Sequence, residues 1–386
     1  MKILHLGPII FHSDDNSPSK KSVSKIGGLS NSIIKLALGQ SENNNKVAVL
    51  TTRETDEPKH IGIDFLSIGK KSLSDIIFND PFDEISKKFF LPDILHTHDI
   101  FELKSLPLIF HANRRGIKVY VSPRGTLSPV ALSRKKTKKK IFINFIFRLF
   151  LSKIEAFVAL NDGEREQILK TFRKKKIIII SNGCDSNDFF YQKFKSNYKK
   201  KKEIDEINIG FMGRFEIYIK GLDILLQSLR EFQKENDPKK IRITLMGDHV
   251  SKEFDSRLYI DKAKKSLNDP SMLTIIGPKY DEEKWDEISK LDIFIHPSRT
   301  EGMPNGVLEA ISMGIPCAVS VFTNMADIIE DADCGWIIDT EIDSLAYDLL
   351  SFSKMDKSLM IEKGINGKSF AREKLSWQKI GKSRYL

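Results

Sequence analysis

Short apolar runs, separated by amphipathic stretches, recur along the whole chain. Runs at 3–6, 47–50, 94–96, 119–122, 157–160 and 177–180 are bounded by polar or glycine-bearing turns, a pattern that predicts buried strands. Between them, segment 29–39 sets Leu29, Ile33, Leu36 and Ala37 at helical spacing. The second half repeats the alternation, with strands predicted at 207–211, 241–246, 273–276, 293–296, 317–320 and 335–338 and a helix at 222–232. Strand and helix in alternation predict parallel, doubly wound sheets. Segment 186–206 has no sustained apolar period and carries Lys193, Lys195 and four consecutive lysines from Lys199. It reads as a basic interdomain linker between domains at 1–185 and 207–370. Amphipathic helices are expected at 355–372 and 376–385.

Length and composition agree with two domains. A chain of 386 residues exceeds one ordinary core, and 40% apolar residues suffice for packing. Cys184, Cys317 and Cys334 show no metal-ligand spacing, and their odd count and wide separation fit a reducing, cytoplasmic setting. The N-terminus reads as a first strand rather than a signal peptide, because its apolar run is broken by His5 and Gly7. No run approaches the ~20 apolar residues of a spanning helix.

The net charge of +10, from 62 basic and 52 acidic residues, fits an anionic partner and also fits a genome rich in Lys and Asn codons. No nucleic-acid recognition motif and no aromatic-basic interleaving is evident, so nucleic acid is not expected as a partner. Segment 134–140, from Arg134 to Lys140, is almost wholly basic and precedes the apolar segment 141–151. It reads either as a surface for an anionic membrane or as a solvated helix start before a core helix.

The densest chemistry lies in Glu301-Gly302-Met303-Pro304-Asn305-Gly306-Val307-Leu308-Glu309-Ala310, followed by Gly314-Ile315-Pro316. The predicted unit is strand, polar loop, then helix start, where backbone N–H groups and the helix dipole favour hydroxyl or phosphate oxygens. Two carboxylates alone also fit a solvated loop. Gly213-Arg214 ends a predicted strand, and Lys220-Gly221 opens the next helix. An arginine fork and a lysine point charge can hold a diphosphate from two sides and stabilise it as a leaving group.

These phrases resemble the signature of glycosyltransferase family 4, retaining enzymes that use nucleotide sugars. The resemblance covers nearly the whole chain, with its specificity concentrated in 211–221 and 296–316. It implies the GT-B fold: two Rossmann-like, doubly wound parallel-sheet domains with an interdomain cleft, the first for the acceptor and the second for the donor. It further implies that Arg214 and Lys220 hold the diphosphate, that Glu301 and the backbone of Gly302, Met303, Pro304 and Asn305 hold the sugar, and that Glu309 holds the ribose. His98 would touch the sugar, and Gly213 and Gly247 would line the donor site. Gly28, after Gly27, matches the family's acceptor-side glycine loop and is counted with the donor contacts. Ser376-Trp377 would open a C-terminal helix, 371–386, that crosses back onto the first domain. Neither metal nor cofactor is implied. The co-substrate is a UDP- or GDP-linked hexose and the acceptor a glycan or polyprenyl-linked saccharide. Surface polysaccharide assembly, on the inner face of the plasma membrane, is the expected setting.

Other residues keep two readings. Arg124, in Ser122-Pro123-Arg124-Gly125, is an acceptor-side anion contact or a solvated turn residue. Asn161 is a second acceptor-side candidate, beside Asp162, a plausible helix N-cap. His96 and His98 share one strand face, but no further ligand pair has useful spacing for a metal. Asp331 and Asp333 read as a turn rather than a metal pair. Two alternatives stand beside transfer: a nucleotide-sugar epimerase of the same fold, and a non-catalytic basic binding protein.

Overall fold

The computed structural model describes residues 1–12, 25–55, 62–185, 191, 206–235, 240–248, 254–383 and 385. The expected linker, 186–206, lies outside them apart from Tyr191 and Glu206. The described chain forms two compact units: Met1–Gly183 with Leu375–Leu386, and Cys184–Lys374.

In the first unit β1 (Lys2–Gly7) is followed by a short antiparallel pair, β2 (Phe11–His12) and β3 (Lys25–Ile26). Then come β4 (Lys46–Thr51), β5 (Asp64–Ser67), β6 (Ile94–His98), β7 (Lys118–Ser122), β8 (Ala156–Ala159) and β9 (Ile177–Ile179). The main sheet is parallel, in the order β5-β4-β1-β6-β7-β8-β9. Both faces are covered, which is why its strands read as continuous apolar runs. Leu4, Leu6, Leu50, Leu95 and Phe157 face one layer, and Ile3, Val49, Tyr120 and Val158 face the other. β5 was not predicted. Its ends are Asp64 and Ser67, and only Phe65 and Leu66 are buried.

The C-terminal segment packs on the second face, where Trp377, Ile380 and Tyr385 join the core. Burying such side chains stabilises by about 2 kcal/mol each. Close backbone approach makes this seat. A Cβ on Gly39, in helix Gly28–Ser41, would lie 2.2 Å from the Trp377 carbonyl oxygen, and one on Gly381 would lie 2.2 Å from Gly39. The last helix, Trp377–Ile380, is shorter than the expected 376–385. It stops where Gly381 meets Gly39, and Tyr385 turns into the core instead of extending the helix.

The second unit holds β10 (Ile207–Met212), β11 (Ile241–Met246), β12 (Leu273–Ile276), β13 (Ile293–His296), β14 (Cys317–Ser320) and β15 (Gly335–Ile338). They form a parallel sheet in the order β12-β11-β10-β13-β14-β15. The two sheets share a local device. The Asp93 carboxylate accepts from the Lys2 amide at 2.8 Å, and the Asp292 carboxylate accepts from the Asn208 amide at 2.8 Å. Each fixes the strand beyond the switch point against the first strand of its sheet. The strand order reverses between β1 and β6 and between β10 and β13, the places where ligands bind in open α/β sheets.

Candidate active site

In the second unit, the loops after β10 and β13 leave the sheet side by side. Gly221 has φ +65, and a Cβ on it would lie 1.9 Å from the Pro297 carbonyl oxygen. The first loop is therefore locked against the second at a position that only glycine fits. Gly247, after β11, lies as tightly against Gly213: its Cβ would be 1.9 Å from the Gly213 oxygen. Arg299 braces the same corner through two bonds to Asp223, at 2.7 and 2.8 Å, and its guanidinium lies 4.2 Å from the centre of the Tyr218 ring.

Lys220 and Glu301 meet here as an ion pair, their side chains 13% and 15% exposed. All three donors of the Glu301 carboxylate converge on one oxygen. Oε1 accepts from the Lys220 ammonium, from His296 Nε2 at 3.0 Å and from Ser298 Oγ at 3.2 Å. Oε2 has no hydrogen bond among the described residues. Burial alone would raise this carboxyl, but the Lys220 charge and the His296 bond outweigh it and hold it at about 2. Burial also lowers the His296 pKa, so the ring is neutral at pH 7 and donates from Nε2. Its Nδ1 is buried without a hydrogen-bond partner.

Arg214 stands apart from this pair. Its side chain is 64% exposed, and its nearest acid is Glu216 at 3.7 Å. Gly302 to Asn305 form the turn into helix Asn305–Ser312, and Met303 and Pro304 face inward, buried. Their expected contact with a sugar is thus through the backbone. Glu309, on that helix, accepts from Lys284 Nζ at 2.8 Å, and Lys284 lies 4.4 Å from the centre of the Trp285 ring. Lys284 was not anticipated. Its only sequence signal is its place in the helix that follows Gly277-Pro278.

In the first unit, His98 is 1% exposed and both its ring nitrogens are engaged. Arg124 Nε donates to Nδ1 at 3.2 Å, and Nε2 bonds His5 Nδ1 at 2.9 Å. The expected sugar contact from this ring requires one of these bonds to open. His96 is fully buried, as expected, between Tyr385 and Ser122, each at 2.8 Å. His5, His96 and His98 place ligand atoms within 4.8 Å of one another, close enough for a metal. The third member came from β1, where parallel register sets His5 beside His96. Every ring nitrogen of the trio already has a hydrogen-bond partner, and the Arg124 cation adjoins it, so a neutral network is the better account.

Arg124 sits at φ +58, a left-handed conformation that side chains rarely adopt. Its Nη1 donates to Asn182 Oδ1 at 2.5 Å, and no carboxylate among the described residues pairs with it directly. Burial lowers its pKa to about 10, which leaves it charged at neutral pH. Buried Glu164 holds the loop by accepting from the Gly125 and Leu160 amides at 2.5 and 2.8 Å. Asn161, not Asp162, is the N-cap of helix Asp162–Thr171, its side chain accepting from the Glu164 amide at 2.9 Å. Its extended backbone suits the cap position, and Asp162 already lies inside the helix. Gly28 is the first residue of helix Gly28–Ser41, with Gly27 at the cap.

Two parallel α/β units with charged loops at their switch points define a GT-B architecture. Anabaena HepE, solved in complex with UDP, superposes with a TM-score of 0.71 at 15% identity, over 99% of this chain and 97% of that one. Residues 26–188 match the model for Glycosyltransferase Family 4, and residues 193–364 that for Glycosyl transferases group 1. With both domain models matched in order, the chain belongs to glycosyltransferase family 4. Similar sequences include the O-antigen biosynthesis glycosyltransferase WclY of Escherichia coli, 29% identical over 187 residues, 48% of each chain. The capsular polysaccharide biosynthesis glycosyltransferase CapM of Staphylococcus aureus is 22% identical over 75% of this chain and 80% of that one. The match to WclY, the first of these, spans about half of that relative's length.

Proposed function

We propose that this protein is a retaining glycosyltransferase that moves a hexose from a UDP- or GDP-linked donor to a glycan or polyprenyl-linked acceptor in surface polysaccharide assembly. The observation that carries this reading is the Glu301 carboxylate, with Oε1 saturated by three donors and Oε2 left to accept a sugar hydroxyl. Lys220 is held beside it, and exposed Arg214 is free to swing onto a diphosphate. These two cations neutralise the leaving nucleoside diphosphate as its charge develops, which supports transfer without a metal. Glu309, held by Lys284, is suited to the ribose hydroxyls. No carboxylate stands out as a covalent nucleophile, so the acceptor attacks from the side of the leaving phosphate, which takes its proton. Arg124, a charged group without a paired acid among the described residues, is suited to an acceptor phosphate.

The same reading extends to a membrane surface. Helix Lys136–Ile141 is basic, and beyond it Phe142, Ile143 and Phe147 turn inward while Phe145 and Leu149 stay 70% and 72% exposed. Basic charge beside outward apolar side chains suits an anionic bilayer. No helix among the described residues is long and apolar enough to cross one.

The test is thermal unfolding of the purified protein against UDP, GDP, ADP and their hexose conjugates, with and without magnesium. Binding at ~100-fold excess over Kd stabilises by about 2.7 kcal/mol. A shift with one nucleotide family, lost in Lys220→Ala, supports the reading. No shift with any of them removes it.

A further inference from the structure

We propose that Gln40 and Tyr385 are positioning residues for Arg124, acting through a one-way chain of hydrogen bonds that fixes the tautomers of His98, His5 and His96. The inference that this serves acceptor binding rests on the reading of Arg124 given above. The direction of the chain does not.

The direction follows from Arg124, which can only donate. Its Nε–H points at His98 Nδ1, 3.2 Å away, so that nitrogen is bare and the His98 proton is on Nε2. His98 Nε2–H then donates to His5 Nδ1 at 2.9 Å, which places the His5 proton on Nε2. His5 Nε2–H donates to Gln40 Oε1 at 2.8 Å. That sets the amide orientation, and Gln40 Nε2 donates to the Tyr385 oxygen at 3.1 Å. The Tyr385 hydroxyl donates to His96 Nδ1 at 2.8 Å, and His96 Nε2–H donates to Ser122 Oγ at 2.8 Å. Each link has one donor and one acceptor, and each nitrogen is used once. Protonating His98 or His5 would set two donors face to face. Burial independently lowers the pKa of all three.

The chain joins parts that are distant in sequence. β1 supplies His5, β6 the other two histidines, helix Gly28–Ser41 supplies Gln40, and the C-terminal segment supplies Tyr385. Its start, the Arg124 guanidinium, has no direct carboxylate partner among the described residues. A guanidinium held at Nε by His98 and at one terminal nitrogen by Asn182 keeps its second terminal nitrogen for a ligand. The C-terminal segment thereby sets the aim of a residue it does not touch.

The experiment is NMR of the full chain labelled with 15N-histidine and 15N-arginine, at pH 7 and without ligand. The wild type is expected to show His5, His96 and His98 neutral and protonated at Nε2. Gln40→Met removes the acceptor that pins the His5 proton. His5 and His98 should become tautomer mixtures, and Arg124 Nε–H should exchange with solvent roughly tenfold faster or more. Gln40→Glu keeps an acceptor for His5 but can no longer donate to Tyr385. It should restore the slow Arg124 exchange, while the tyrosine turns its proton to the carboxylate and His96 moves its proton to Nδ1. If Gln40→Met does not fold, the tautomer of His96 in Gln40→Glu decides. Nδ1 protonation of His98 in the wild type would overturn the proposal, as would unchanged Arg124 exchange in folded Gln40→Met. So would zinc chloride moving all three imidazoles together, which would assign them to a metal. The expected tautomers in a protein that answers to no nucleotide would leave this chain standing and remove the transferase reading instead.

Discussion

Replacing Lys220 by methionine tests the centre of the candidate donor site without any ligand. The substitution keeps the length of the side chain and removes its charge, leaving Glu301 largely buried beside His296 and Ser298. A carboxyl held at about 2 rather than near 4.5 contributes roughly 3 kcal/mol of stability at neutral pH. Lys220 is the largest favourable influence on it, so its loss should cost the second unit about 3 kcal/mol at pH 7, in the range found for half-broken buried pairs. The sign with pH is fixed. A depressed carboxyl pKa gives stability that is full above about 4.5 and is lost as the pH falls towards 2. The gap between wild type and variant should therefore shrink to about half by pH 3. Urea unfolding followed by fluorescence reads it, because Trp285 and Trp336 lie in the second unit and Trp377 in the first. A gap under about 1 kcal/mol at pH 7, or one equal at pH 7 and pH 3, would refute the electrostatic account.

Four further outcomes are expected. Asn161→Ala should cost about 1 kcal/mol of stability through the lost cap, and unfolding midpoints will show whether Asn161→Asp restores it. Gly39→Ala should force the C-terminal segment off its helix, costing about 1–3 kcal/mol and raising amide exchange at Trp377–Ile380. Because burial lowers His5 from 6.5 to about 4, its contribution, up to roughly 3 kcal/mol, is full above pH 6.5 and is lost as the pH falls to 4; His5→Gln should flatten that limb of the stability curve. Phe145→Asp with Leu149→Asp should reduce sedimentation with phosphatidylglycerol vesicles without moving the thermal midpoint, and equal sedimentation would remove the membrane reading.

What was legible in the chain followed from how locally each feature is encoded. The strands of the second unit match their predicted positions because both faces of a parallel sheet are buried, so each reads as an apolar run without reference to its neighbours. The candidate loop residues could be singled out for a similar reason: Gly213-Arg214, Lys220-Gly221 and Glu301 to Glu309 are each contiguous in sequence. Partnership across the sheet was not legible. His96 and His98 announce a shared face, but His5 joins them only through the register of β1 against β6. Lys284 reaches Glu309 from another helix. Tyr385 looked like the end of an amphipathic helix, and its place in the core depends on two glycines meeting backbone to backbone.

The same contrast separates the two ends at which charge collects. At the β10–β13 switch point, oppositely charged groups face one another, and their strength depends on screening and on pH. At the β1–β6 switch point the three imidazoles are neutral and directional, so loss of the acceptor at Gln40 reaches the Arg124 cation without any change of charge. An ion pair tolerates small displacements, because Coulomb attraction falls slowly with distance. A chain of hydrogen bonds with one donor per link does not, because each link weakens steeply with angle. On that ground any nucleotide affinity of the candidate donor site should survive a disturbance of the C-terminal segment, whereas the orientation of Arg124 should be lost. Tyr385→Phe separates the two: nucleotide-induced thermal shifts should stay as in the wild type while His96 loses its fixed tautomer, and loss of both together would show that the two ends are not independent.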